Sequence, residues 1–142
     1  MNTITITKHE SGQEVGYICW YSPDEYDVEY IITVLHVHDL FRGRGYGTLL
    51  IKSMLIKIES NLSITIKLDD CSDFTGQCNN IYYKLGFRNL DDTQQEVMTI
   101  YIESVFDFVN QIKIKDFDSV LFEHNIEKDV TILIKNRCEY KC

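Results

Sequence analysis

The sequence predicts a mixed α/β (α+β) fold in which helices lie on the faces of one sheet. Two observations predict it. Several short segments alternate apolar and polar residues with period two, and at least two longer segments place apolar residues at helical spacing. The chain has 142 residues, of which 44% are hydrophobic and 25% charged, which is the size and composition of one globular domain.

The first three predicted elements are strands. Residues 3–7 alternate with period two, a turn follows around Gly12, and residues 15–21 form a second strand, so the chain opens as a β-hairpin. Residues 28–37 are mostly apolar and predict a long central strand.

The next elements alternate between helix and strand. Residues 47–60 carry an amphipathic stripe at i, i+3, i+4 and i+7, and residues 63–68 alternate as a strand. The helical spacing then returns over residues 78–85, where Gly86 is placed to end the helix as its C′ residue. The two stripes consist of Ile51, Met54, Leu55 and Ile58, and of Cys78, Ile81, Tyr82 and Leu85.

Residues 87–89 and 96–102 predict two more strands joined by a hairpin loop. Beyond them the pattern is weaker. Phe117, Val120, Leu121 and His124 indicate a helix behind Asp116, and residues 130–134 indicate a last strand. The predicted order is therefore β-β-β-α-β-α-β-β with a tail.

Composition excludes several classes of function. The net charge of −8 argues against a nucleic-acid partner, and it is compatible with a cationic partner or with solubility alone. No apolar run approaches the roughly 20 residues needed to span a bilayer, and the N-terminus lacks the pattern of a signal peptide. The odd number of cysteines, without a C-x-x-C pair, favours free thiols in a reducing, cytoplasmic environment and argues against a zinc site.

The segment HVHDLFRGRGYGTLL, residues 36–50, joins the long strand to the first helix. Unpaired main-chain N–H groups and the positive end of the helix dipole meet at such a point, and glycines allow close approach to the backbone. The segment suits a pyrophosphate, although a tight basic turn without a ligand is an equally good interpretation. It lacks the Gly-Lys-Ser/Thr ending of a nucleotide P-loop and the spacing of a dinucleotide fingerprint.

Two motifs carry a resemblance to a known family. R-G-R-G-Y-G, residues 42–47, resembles motif A of the GCN5-related N-acetyltransferases (GNATs), and I-Y-Y-K-L-G-F-R, residues 81–88, resembles the end of motif B. The resemblance covers roughly residues 3–102. It implies a mostly antiparallel sheet with helices on both faces, a splay between the family's fourth and fifth strands, and acetyl-CoA as co-substrate.

The resemblance also implies the residues that bind acetyl-CoA. Main-chain N–H groups of the turn would hold the pyrophosphate, and the exposed edge of the strand before it would pair with the pantetheine amides. Residues on the second helix would complete the site. The implied set is Leu35, His36, Val37, Arg42, Gly43, Arg44, Gly45, Tyr46, Gly47, Thr48, Asn79 and Tyr82.

The catalytic residues implied by the resemblance are Tyr82 and Glu29. Tyr82, four residues before Gly86, would protonate the departing CoA thiolate; Tyr83 is the alternative acid, and an apolar packing role for Tyr82 is compatible with both. Glu29 would accept the proton of the amine, unless it is only a solvated carboxylate at the end of a strand. His36 and His38 form an H-x-H pair, but no third ligand is evident and we predict no metal.

The sequence departs from the family in one respect. Only a short turn separates the first two strands, where family members usually have two helices that line the acceptor site. We therefore predict a core over residues 1–102 and an extension over residues 103–142, which either covers the acceptor site or mediates dimerisation. The acceptor is expected to be an amine, possibly cationic, and the protein a monomer or a homodimer. It would be active as an N-acetyltransferase or serve as a catalytically silent CoA-binding or protein-interaction module.

Overall fold

The computed structural model describes residues 1–8, 11–23, 29–58, 62–69, 81–89 and 97–113, together with the backbone of residues 120–126 and 129–135. These residues form strands and helices around a single sheet. In chain order the elements are β1 (Asn2–Lys8), β2 (Glu14–Tyr21), β3 (Glu29–Val37), a 3₁₀ turn (Asp39–Phe41), α1 (Tyr46–Ile58), β4 (Ile64–Asp69), α2 (Ile81–Leu85), β5 (Arg88–Asn89), β6 (Val97–Ile102), α3 (Val105–Gln111), β7 (Val120–Ile126) and β8 (Asp129–Lys135).

The described strands form one sheet in the order β5-β6-β4-β3-β2-β1-β7-β8. Only β3 and β4 pair in parallel, and α1 connects them; every other neighbouring pair is antiparallel. This arrangement confirms the predicted mixed, mostly antiparallel α/β fold. It also confirms the opening hairpin, in which Gly12 adopts a φ of 70° at the turn.

The core lies on one face of the sheet. Strand register places alternate apolar side chains of β1, β2, β4 and β6 on that face, where Ile18, Ile66 and Ile100 are buried. Helix α1 packs against β1, β2, β3 and α3. Its buried surface is wider than the predicted stripe and includes Lys52 and Ser53, because α3 covers a second side of the helix.

The other face of the sheet carries more exposed side chains in the described part of the chain. Ile31 and Val34 on β3 are about two-fifths exposed, and Tyr101 on β6 is two-thirds exposed. Among the described residues, no helix packs over Ile31, Val34 and Tyr101 to bury them. Only a short turn joins β1 to β2, as the sequence predicts.

Helix α2 ends as the sequence predicts. Gly86 has a φ of 111°, its N–H donates to the carbonyl of Tyr83 at 3.1 Å, and the N–H of Phe87 donates to the carbonyl of Tyr82 at 2.9 Å. These two bonds define a Schellman motif with Gly86 as its C′ residue. The predicted start of this helix near Cys78 lies outside the described residues.

The C-terminal region differs from the prediction. The expected helix is wrong over Val120, Leu121 and His124, because Val120–Ile126 is a strand that pairs with β1 along its length, and Phe117 lies outside the described residues. The helical spacing of those residues is too short to exclude a strand, and the free edge of β1 provides hydrogen-bonding groups for one. The last predicted strand is confirmed as β8. The unpredicted helix is α3, which begins at the N-cap Ser104.

Candidate functional site

A gap opens between β3 and β4. The two strands pair only where Glu29–Ile32 runs beside Thr65–Leu68, and the last four residues of β3, Val34–Val37, pair with β2 alone. The register of β2 against β3 shifts at this point: Trp20 lies opposite Ile32 and Cys19 opposite Val34, so Thr33 is an extra residue on β3. A bulge increases local twist, and here it lies where the parallel pairing stops. The bulge thus separates β3 from β4 and produces the predicted splay.

The unpaired edge of β3 presents backbone groups to this gap. The N–H of His38 donates to the carbonyl of Val15 at 2.9 Å, which identifies one hydrogen-bonded position of the β2–β3 ladder. Because such positions alternate along an antiparallel pair, His36 is directed towards β2, and Leu35 and Val37 are directed away from it. The N–H and carbonyl groups of Leu35 and Val37 therefore face the gap.

The glycine turn follows the end of β3. Gly43 and Gly45 have φ angles of 75° and 92°, a region in which a side chain is strained. The first backbone hydrogen bond of α1 runs from the Leu49 N–H to the Gly45 carbonyl at 3.1 Å. The N–H groups that precede Leu49 lie before the point where intrahelical bonding begins, and a helix leaves such donors for an external acceptor.

The side chains of the turn anchor it to the protein. Phe41 and Tyr46 are buried, with ring centroids 5.9 Å apart, and the Lys8 ammonium donates to the Tyr46 hydroxyl at 2.7 Å. The Arg42 Nε donates to the Val37 carbonyl at 2.9 Å, and its guanidinium lies 3.3 Å from the Asp39 carboxylate. The Arg44 guanidinium lies over the Phe41 ring. Both arginines are thus engaged with the turn itself, and its main-chain N–H groups are the donors best placed for an anion.

The gap and the turn open into one cavity of about 1040 Å³. Its lining combines the end of β3, the turn, α2 and α3. Of the predicted cofactor-binding residues, those that line it are Leu35, His36, Val37, Arg42, Gly43, Gly45, Tyr46, Gly47, Thr48 and Tyr82. Arg44 is not among the lining residues, and Asn79 lies outside the described residues. The structure therefore brings most of the predicted set around one space.

Helix α3 supplies a wall of the cavity that sequence reasoning missed. Phe108, Gln111, Ile112 and Lys113 line it. The buried Lys52 ammonium of α1 donates to the carbonyl of Ile112 at 2.9 Å, which fixes the C-terminal end of α3 against α1. The available signal was Ser104, an N-cap residue whose side chain accepts from the Asp107 N–H.

The two candidate tyrosines have different surroundings. Tyr82 is 8% exposed, lines the cavity, and packs edge-on against Phe87 with centroids 5.8 Å apart. Tyr83 is 40% exposed, does not line the cavity, and lies under the Arg88 guanidinium at 3.7 Å from the ring centroid. The geometry thus favours Tyr82 over Tyr83 as a group that meets a ligand.

Glu29 lies outside the cavity lining. It begins β3, where it pairs with Thr65. It lies four residues before the bulged Thr33, a separation of about 13 Å along a strand. Its register places it on the more exposed face of the sheet together with Ile31. Its neighbour Tyr30 has a pKa raised by burial, so that hydroxyl stays neutral across the physiological range. The structure does not bring Glu29 and Tyr82 to the same cavity, and the assignment of Glu29 as a base stays a prediction.

The H-x-H pair is in contact with a carboxylate. His36 Nε2 lies 3.4 Å from His38 Nδ1, and His38 Nε2 lies 3.0 Å from a Glu14 carboxylate oxygen. Within the described ranges, no group of three His, Cys, Asp or Glu side chains is arranged to hold a metal ion. Cys19 is a buried free thiol, and the other cysteines lie outside the described residues.

The charges that line the cavity are of both signs. They come from β4, from α2, from the residues that follow α3 and from the turn: Asp69, Lys84, Lys113 and Arg42. No helix among the described residues is both long enough and apolar enough to cross a bilayer.

Comparison with known proteins agrees with this arrangement. A sequence model of the acetyltransferase (GNAT) domain matches residues 2–89, whereas no curated protein matches the chain. GCN5 from Tetrahymena is similar in structure, with a TM-score of 0.52 and 16% identity over 72% of this chain and 69% of that one. Ard1 from Thermoplasma volcanium has 24% identity over 66% of each chain and a TM-score of 0.47. The GNAT protein YhbS from Escherichia coli, solved in complex with CoA, has 15% identity over 75% of this chain and 61% of that one, with a TM-score of 0.48.

The matched region begins with β1, contains the splay, the glycine turn and α2, and ends with β5. Because a family model matches more than half of its residues, the chain belongs to the GNAT acetyltransferase family.

Proposed function

We propose that this protein transfers the acetyl group of acetyl-CoA to a primary amine. The observation that supports the proposal most strongly is one cavity that contains an unpaired strand edge, a glycine turn before a helix, and a buried tyrosine. The acceptor class comprises a protein N-terminus, a lysine side chain, a polyamine or another small amine.

The residues present fit acetyl-CoA at both ends of the cavity. The Leu35 edge groups and the Val37 N–H are complementary to the amides of a pantetheine arm, which would add to β3 like a further strand, whereas the Val37 carbonyl accepts from Arg42 Nε. The amides between Gly43 and Thr48 would hold the pyrophosphate at the N-terminal end of α1. A Cβ added at Gly47 would lie 2.9 Å from the Ile81 side chain, so this glycine also lets α1 approach α2.

The chemistry needs a proton donor for the leaving group and a proton acceptor for the amine. Acetyl-CoA, when bound, supplies the acetyl carbonyl and a thiolate leaving group. The amine nitrogen forms a bond to the carbonyl carbon as the carbon–sulfur bond breaks, and the Tyr82 hydroxyl donates its proton to the sulfur. A tyrosine suits this task because it is a neutral donor at physiological pH. An alkylamine has a pKa near 10.4 and must lose a proton before it attacks.

The exposed face of the sheet near Ile31 and Val34 is the proposed side of approach for the acceptor. Acidic residues predominate over basic ones in the chain, 22 against 14, which favours a cationic acceptor through electrostatic attraction. In this proposal the extension over residues 103–142 contributes to the cavity through α3.

The test is an acetyl-transfer assay with a panel of amines, in which release of the free CoA thiol is measured. We expect turnover with at least one amine, and we expect Tyr82→Phe to lower kcat by about a hundredfold or more, the usual contribution of a general acid. Tyr83→Phe is the matched control and should stay within about twofold of the unmodified protein.

Tight CoA binding without turnover on any amine would support the alternative of a catalytically silent CoA-binding module. A loss of activity in Tyr83→Phe, with activity kept in Tyr82→Phe, would exchange the roles of the two tyrosines.

A further inference from the structure

A row of three side chains leads from the protein surface to the cavity. The Glu14 carboxylate contacts His38 Nε2 at 3.0 Å, and His38 Nδ1 contacts His36 Nε2 at 3.4 Å. Glu14 and His38 have side chains that are 46% and 40% exposed, whereas His36 is half-buried and lines the cavity. The rings of the two histidines meet edge to face at 88°.

This geometry determines which nitrogen of each imidazole carries a proton in the neutral state. A carboxylate only accepts hydrogen bonds, so the proton of neutral His38 lies on Nε2, and its Nδ1 is left as an acceptor. His36 then donates its Nε2 proton to His38. The lone pair of His36 is consequently on Nδ1, where it is available to take up a proton.

His36 is held in place by the strand beneath it. Its carbonyl lies so close to Gly16 on β2 that a Cβ on Gly16 would come within 2.3 Å of that oxygen. The Tyr17 ring packs against the imidazole with centroids 5.5 Å apart. Strand alternation places the His36 side chain on the opposite face of β3 from Leu35, which is the more exposed face of the sheet. This is the face from which the acceptor is proposed to approach.

We propose that His36 is the general base that deprotonates the acceptor amine, and that His38 and Glu14 are positioning residues that orient it and pass the proton to solvent. The inference rests on the proposed acetyl transfer and names a base for it. His36 lies on the segment of β3 that lines the cavity, whereas Glu29 lies outside that lining. The row therefore places a candidate base among the residues that line the cavity.

The proton transfers balance as follows. The ammonium of the acceptor loses one proton to His36 Nδ1, and His36 releases its Nε2 proton to His38 Nδ1. His38 releases its own Nε2 proton to Glu14, from which it exchanges with water. The nitrogen lone pair of the amine is then free to attack. Once the amine has reacted, Glu14 takes up a proton from water and passes it to His38 Nε2, the His38 Nδ1 proton passes to His36 Nε2, and the His36 Nδ1 proton leaves to water, so both imidazoles regain their starting tautomers.

The row is not arranged as a metal site. His38 uses its two nitrogens on opposite sides of its ring, one towards His36 and one towards Glu14, so the three groups do not converge on one point. Tyr17 on β2 packs against the His36 ring, and the other ionisable side chains around the cavity that His36 lines come from the turn, from β4, from α2 and from the residues after α3: Arg42 with Asp39, Asp69, Lys84 and Lys113.

Nitrogen-15 NMR of the histidine rings tests the geometry without any need for turnover. His36→Gln and His38→Gln assign the signals among the four histidines of the chain. We expect both neutral rings to be Nε2–H tautomers, and we expect Glu14→Gln to alter the ring signals of both. The exposed Glu103→Gln is the matched control and should alter neither. An Nδ1–H tautomer at His36, or ring signals that do not respond to Glu14→Gln, would overturn the inference.

The pH dependence of kcat/KM tests the catalytic role. We expect His36→Gln to change the pH profile and to lower kcat/KM by about a hundredfold at neutral pH. His38→Gln and Glu14→Gln should lower it by about tenfold and change the profile. The dissociation constant for CoA, measured by calorimetry, should stay within about twofold in all three variants.

The calorimetry separates this inference from the proposed function. A protein that does not bind CoA contradicts the proposed function directly. The NMR experiment still tests the arrangement of Glu14, His38 and His36 in that case. Binding without turnover, or a wild-type pH profile in His36→Gln, overturns the assignment of His36 as the base and leaves CoA binding intact.

Discussion

Two glycine turns border the ends of helices in this protein, and they serve opposite purposes. The turn before α1 contains Gly43 and Gly45 at positive φ, and it leaves main-chain N–H groups directed away from intrahelical partners. The turn after α2 contains Gly86 at positive φ, and its N–H groups close back onto the carbonyls of Tyr82 and Tyr83. The first turn is therefore the one that we propose binds the ligand, and the second ends helix α2.

The comparison shows that positive φ alone does not indicate function. What distinguishes the two turns is their position: the N–H groups after α2 bond to the last carbonyls of that helix, whereas those just before Leu49 precede the first intrahelical bond of α1. Each turn can therefore be tested by the quantity that it should change: the free energy of unfolding for Gly86, and the affinity for CoA for Gly43.

The largest effect on stability is expected for Gly86→Ala. A side chain at a φ of 111° is strained, and the new Cβ would lie 3.2 Å from the Ile100 side chain. We expect a loss of about 2 kcal/mol in the free energy of unfolding, measured by urea denaturation. An unchanged free energy of unfolding would show that α2 does not depend on its Schellman end.

The second prediction is a matched pair of substitutions at the other turn. Gly43 and Gly12 have φ angles of 75° and 70°, and a Cβ at either position meets nothing within 4 Å. Gly43→Ala and Gly12→Ala should therefore cost the same in unfolding free energy, about 1 kcal/mol each. Only Gly43→Ala should raise the Kd for CoA, by about tenfold or more, which is about 1.4 kcal/mol of binding. Equal affinities in the two variants would remove the distinction between the turns.

The smallest effect concerns the wall that α3 adds beside the first turn. Lys52→Met removes the buried hydrogen bond to the Ile112 carbonyl but keeps most of the apolar volume. We expect a loss of about 1 kcal/mol in unfolding free energy and a threefold or smaller rise in the Kd for CoA. A change in the free energy of CoA binding that exceeds the change in the free energy of unfolding would show that α3 contacts the ligand more closely than the turn does.

Sequence reasoning predicted the first hundred residues well because their patterns are local. The alternation of apolar and polar residues predicted the strands, and the helical spacing of apolar residues predicted α1 and α2. Gly86 predicted the end of α2. The resemblance led to the glycine turn and to Tyr82, which the structure places around one cavity.

The remaining features depend on tertiary contacts that no local pattern carries. Val120–Ile126 is a strand because the edge of β1 is available to pair with it. The row from Glu14 to His36 joins two strands whose register decides which side chains meet, and the sequence showed only the two histidines. The bulge at Thr33 likewise depends on the pairing of β3 with β2.

The most direct test of the account is a calorimetric titration of the protein with acetyl-CoA, followed by the same titration of Gly43→Ala. The account predicts one binding site per chain in the unmodified protein, and an affinity about tenfold or more weaker in the variant. The absence of binding to the unmodified protein, or equal affinity in the two, would contradict the claim that the turn before α1 holds the ligand.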